Sequence, residues 1–84
     1  MSNEKISIQL AVIEDVLGER NKQDIKWGVQ NHTPLKWLVI LGEEYGESCK
    51  AILEADTTAY REELVQTAAV ALAAIECLDR TLNK

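Results

Sequence analysis

The chain has 84 residues, 46% hydrophobic and 27% charged, with a formal charge of −5 from 14 acidic and 9 basic side chains. That length allows one domain, residues 1–84, and chains this short bury only about 60% of the surface their unfolded form exposes, so a metal, a disulfide or a second subunit is expected to supplement the core. The acidic balance excludes the basic footprint of a nucleic-acid binder, and the longest apolar run, the eight residues Ala68 to Ile75, falls short of the roughly 18 that a membrane span requires.

Nothing in the composition indicates disorder or low complexity. Glu4, Glu14 and Asp15 do not fit a secretory leader, so a cytoplasmic protein is expected. Cys49 and Cys77 lack CxxC spacing and the chain has a single histidine, which argues for two small buried hydrophobes rather than a zinc or redox centre.

The periodicity predicts an all-α protein of three helices. The first runs from about Glu4 to about Lys22, with Ile6, Leu10, Ile13 and Leu17 in one stripe that Ile8, Val12 and Val16 widen. Gln23 to His32, with Gly28 inside it, reads as a loop containing at most one helical turn. Thr33 and Pro34 then supply an N-cap and a first helical residue for a second helix reaching about Ala55. Asp56, Thr57 and Thr58 form a short connection with N-cap oxygens, and the third helix runs from about Ala59 to about Leu82. Glu62 and Glu63 fall in its first turn and Arg80 near its last, as the helix dipole favours. The short connection makes helices two and three an antiparallel hairpin.

Between Leu64 and Leu78 only Gln66, Thr67 and Glu76 are polar, and a helix apolar nearly all round must be covered on every side. Two neighbours from one short chain do not suffice. A homodimer pairing two hairpins into a four-helix core, or a tetramer, is therefore expected.

Trp37, Ile40, Glu44, Glu47 and Ala51 share one face of the second helix, and Ala59, Glu63, Gln66, Val70, Ala73 and Cys77 share one of the third. Folding the hairpin about residue 57 sets Glu47 level with Gln66, with Glu63 one turn away. Three carboxylates and an amide then converge, and burying like charges together requires a cation. Their oxygen-only donors suit Mg²⁺, with Mn²⁺ as the alternative. The competing reading is a solvated acidic face paired with Lys50 or Arg61. Gly42 and Gly46, one turn apart beside the glutamates, offer close approach to a helix or ligand.

These residues resemble the MazG-like nucleoside triphosphate pyrophosphohydrolases of the all-α NTP pyrophosphatase superfamily, whose pattern is EExxE, a variable gap, then ExxD. Glu43-Glu44-Tyr45-Gly46-Glu47 matches the first half and Glu63-Leu64-Val65-Gln66 the second, except at its last position. The resemblance spans roughly residues 20 to 80. It implies hydrolysis of (d)NTP to (d)NMP and pyrophosphate, as in house-cleaning of nucleotide pools, with Glu43, Glu44, Glu47 and Glu63 as catalytic residues. Glu44, Glu47, Glu63 and Gln66 would ligate the metal, whose charge offsets that of the phosphates. Gln66 stands where an aspartate is expected, removing one negative charge. That departure opens a second reading, a nucleotide-binding module without turnover; a third is a helical protein-interaction protein. Lys26, Trp27, Asn31, His32 and Lys50 form the candidate substrate-binding set. For the loop residues the alternative is structural, with Trp27 anchoring the loop and Asn31 and His32 capping the next helix. Trp37 is expected mainly in the core.

Overall fold

The computed structural model describes residues 3–82. It contains three helices, α1 (Asn3–Trp27), α2 (Pro34–Leu53) and α3 (Thr57–Leu82), and the described residues form no strand. None of these helices is long and apolar enough to cross a membrane.

α1 continues five residues beyond the expected Lys22. Gln23 and Asp24 extend it because both accept hydrogen bonds from Arg20, at 3.3 Å and 3.0 Å, along one helix face. It stops where Gly28 takes φ +72° and donates its N–H to the Asp24 carbonyl at 2.8 Å, a left-handed cap that glycine adopts without strain.

α2 starts as the sequence predicts. The Thr33 hydroxyl accepts the Lys36 N–H at 3.3 Å, with Pro34 in the first turn. Its end falls at Leu53, not Ala55. Ala55 N–H bonds to Ile52 O at 3.1 Å and Asp56 N–H to Ala51 O at 3.0 Å, a Schellman turn with Ala55 at φ 56° in the position that usually holds glycine. Asp56 then caps α3 by accepting the Ala59 N–H at 2.9 Å. Because α3 therefore begins at Thr57, Glu62 and Glu63 lie beyond its first turn, which holds no acidic residue.

α3 is the shared element. α1 and α2 each pack along it, while the Cα atoms of α1 and α2 nowhere approach within 8 Å of each other. The α2–α3 seam holds the core of Trp37, Val70, Ala73 and Cys77, flanked by Ile40, Leu41 and Ala74. Trp37 is thus a core residue, as expected. Ser48 is buried as well, its hydroxyl donating to the Glu44 carbonyl. On the other seam Ala69 is fully buried, and α1 contributes only Val16 and Arg20 as buried residues.

The Arg20 guanidinium clamps α1 to α3. Its five N–H groups go to Glu76 at 2.9 and 2.7 Å, Asp24 at 3.0 and 3.3 Å, and Gln23 at 3.3 Å, leaving none for a ligand. The pairing holds Glu76 below the usual carboxylate range, and burial only partly opposes it. A second ion pair, Arg61 to Asp15 at 2.8 Å, crosses the same seam at the surface.

The stripe Ile6, Leu10, Ile13, Leu17 is exposed rather than packed, as are Leu64, Ile75, Leu78 and Leu82 of α3. Nothing lies within 4 Å of a Cβ built on Gly42 or Gly46, so within one chain neither glycine answers to a close approach.

Two outcomes test these local devices. Ala55→Gly relieves the left-handed strain and should stabilise the chain by about 1 kcal/mol, raising the thermal midpoint by roughly 4–8 °C. Arg20→Met should cost about 2 kcal/mol at pH 7 by stranding Glu76 and Asp24, which are themselves part-exposed. A lowered folded pKa contributes stability above the unfolded value and loses it on acidification. The gap between wild type and Arg20→Met should therefore narrow as the pH falls below 4.5, the ordinary value for Glu76, in urea titrations at several pH values.

Candidate functional site

α2 and α3 bring one pair of carboxylates together. Glu44 and Glu63, both half-buried, lie near each other across the seam. Burial first, then the negative charges of Glu63, Glu47 and Glu43, and finally the nearness of the Glu63 carboxyl push the Glu44 carboxyl above its usual range. Among the described residues no ion pair forms with Glu44 or Glu63: Arg61 is taken by Asp15, and Lys50 stands exposed in the last turn of α2.

The other expected ligands are arranged differently. Glu47 is exposed, and the buried neighbour on its turn is Ser48. At about 100° per residue, Glu44 lies within about 20° of Trp37 around α2, whereas Glu47 is rotated by about 80°. Flanking apolar residues at i+3 and i+4 intervals therefore mark Glu44 as inward but not Glu47. Glu43 is exposed too. Gln66, rotated about 60° from Glu63 around α3, lines a different groove, beside Glu14, Asp15, Glu19 and Lys22 of α1. Among the described residues no group of three or more His, Cys, Asp or Glu side chains is drawn together tightly enough to hold a metal ion. Of the expected ligands, the Glu44 and Glu63 carboxylates alone are brought close together.

Glu44 also reaches a cleft of about 590 Å³, part of it open to solvent, between the C-terminal end of α1, the 28–33 loop and the α2–α3 seam. Trp27, Trp37, Ile40, Val70 and Ala73 supply its apolar walls; Gln30 and Arg80 are among its polar ones. Most of that figure is open space: a water-sized sphere can enter only about 140 Å³ of it, short of the roughly 300–1,000 Å³ of small-ligand sites.

Of the loop candidates, Trp27 is 61% exposed and lines this cleft, so it does not anchor the loop in the core; the Lys26 ammonium sits 4.8 Å from its ring. His32 packs edge-on against Trp37 with ring centroids 4.8 Å apart. The Asn31 amide oxygen accepts from Arg80 at 3.0 Å and lies 3.6 Å from the Cys77 sulfur. Asn31 and His32 are thus held to α3 and α2, although neither caps α2, a role that Thr33 fills.

Arg80 was legible only as a helix-end cation, yet it fixes the loop, bonding Asn31 and the Gln30 carbonyl at 3.1 Å. Arg20 follows Val16 by four residues on the buried face of α1; that spacing was the available signal for it. Cys77 is buried beneath the loop. The nearby Trp37 indole, then the His32 backbone, hold its thiol below the ordinary range against the effect of burial. The indole nitrogen is itself buried with no hydrogen-bond partner.

No known protein family, no curated protein and no solved structure matches this chain.

The raised Glu44 pKa carries a test. An acid with a raised folded pKa adds stability below its unfolded value and loses it as pH rises through the folded one. Once the pH has risen through the folded value, ionised Glu44 is therefore a net cost. Glu44→Gln should raise the thermal midpoint at pH 7 in EDTA, with the gain vanishing below pH 4.5, the ordinary value for this group. Added Mg²⁺ should raise the midpoint of the wild type and not of this variant.

Proposed function

We propose that this chain is a Mg²⁺-dependent nucleoside triphosphate pyrophosphohydrolase, converting (d)NTP to (d)NMP and pyrophosphate. The observation that supports the reading is the Glu44–Glu63 pair, two part-buried carboxylates with no ion pair among the described residues, of which Glu44 lines a small cleft. The same two residues fall in the halves of the sequence pattern that resemble the MazG-like enzymes.

In this reading Glu44 and Glu63 would hold Mg²⁺ between α2 and α3, with Glu47 on the adjacent turn, and the ion would supply charge neutralisation at the phosphates and orientation of the attacking water. Trp27 would offer the nucleoside a ring face for stacking and Gln30 an edge for hydrogen bonding. Arg80 keeps the loop in place. Lys26, beside Trp27, and Lys50, in the last turn of α2, would serve the phosphates. The working particle is a homodimer or tetramer in the cytoplasm.

The second reading, nucleotide binding without turnover, draws on Gln66, which brings no charge and lies in the other groove. The experiment that separates them is hydrolysis of a panel of NTPs and dNTPs with Mg²⁺, resolving mono- and diphosphate from pyrophosphate. Monophosphate plus pyrophosphate is expected, falling at least about 100-fold in Glu44→Gln. Unchanged turnover in that variant would defeat the assignment. Thermal stabilisation by a nucleotide and Mg²⁺ with no product from any of the panel would establish the binding module.

A further inference from the structure

The first half of α1 is a helical arm that the chain does not bury. Every residue from Asn3 to Asp15 is exposed. The arm is about 20 Å long, and isolated helices of this length are marginal in water unless an apolar face is packed. Its apolar residues lie on two sides. Ile6, Leu10 and Ile13 fall within an arc of about 60°, and Ile8 and Val12 lie roughly opposite. All five are between 42% and 57% exposed. A helix apolar on two sides calls for a groove rather than a flat neighbour.

The chain also has such a groove uncovered. Between the N-terminal end of α2 and the C-terminal end of α3, a depression of about 1240 Å³, open on one side, is lined by Trp37, Leu38, Ile75 and Leu78, with few polar atoms. Leu38, Ile75 and Leu78 are 64%, 55% and 47% exposed.

Size argues for an occupant as large as another copy. A compact monomer of 9.4 kDa exposes about 5,000 Å², whereas this chain exposes 6368 Å². The excess, roughly 1,400 Å², is more than the ~800 Å² that each partner contributes to a stable interface. The radius of gyration, 14.4 Å, likewise exceeds the roughly 12 Å of a compact chain this long. Charge argues against a lipid surface: Glu4, Glu14 and Asp15 outnumber Lys5 on the arm, where a membrane-lying helix carries lysine and arginine.

We propose that the α1 arm is an assembly element, seated in the α2–α3 groove of a second copy of this chain. A two-fold axis makes the exchange reciprocal, so one contact, made twice, covers both arms and both grooves and closes the particle. This inference goes beyond the catalytic reading and is tested without nucleotide or metal, so the two fail separately.

Sedimentation equilibrium of the full chain at roughly 100 μM, above the micromolar Kd that such an interface supports, should return twice the 9.4 kDa chain mass. Leu10→Glu and Ile75→Glu, each alone, should halve it. Ile25→Glu, on an exposed site outside the arm, should not. A wild type at monomer mass overturns the proposal, as does a dimer that survives either Leu10→Glu or Ile75→Glu. Should a variant lose its helical circular dichroism, amide hydrogen exchange of the wild type decides. Protection of the Ile6–Glu14 amides should grow with protein concentration; protection that is independent of concentration overturns the arm's role.

Discussion

The Arg20 guanidinium, nine-tenths buried with all five donors engaged, carries the attachment of α1 to α3. The interface it organises contains little else of size: Val16 and Ala69 are its buried apolar residues, and the Cα atoms of α1 and α2 nowhere come within 8 Å. A saturated, charge-assisted network is directional. It fixes the rotation of α1 as well as its distance, and so turns Trp27 and the following loop towards the α2–α3 seam. The cleft at that junction owes its third wall to this clamp. Arg80 completes the arrangement from the far end of α3 by holding Asn31 and the Gln30 carbonyl.

The α2–α3 seam is organised by packing instead. Trp37, Val70, Ala73 and Cys77 exclude water along it, and the carboxylates of Glu44 and Glu63 sit where that packing gives out. Their surroundings are dry enough to raise the Glu44 pKa and open enough to admit a ligand. An acidic pair in such a place is costly without a cation and useful with one. The same balance recurs at larger scale. Among the described residues no large side chain is fully buried, and the apolar residues of the arm and groove are left to water.

By itself the sequence determined the elements that rest on local chemistry. Three helices, the Thr33–Pro34 start, the Asp56 cap and the Trp37 core position all follow from backbone hydrogen bonding and side-chain period, which act within a few residues. Element ends were less legible: Trp27 and Leu53 are set by Gly28 and by a Schellman turn around Ala55, and alanine gives no sign of a left-handed residue. The site was half visible. Motif spacing singled out Glu44 and Glu63, which do meet, but an i+10 interval could not show that Glu47 turns outward or that Gln66 faces α1. Tertiary structure decided those matters, together with the burial of Arg20 and the exposure of Ile6, Leu10 and Ile13. The reason is that a periodic pattern identifies an apolar face without saying which neighbour covers it, and only the placement of α1 across α3 shows that no described part of this chain covers this one.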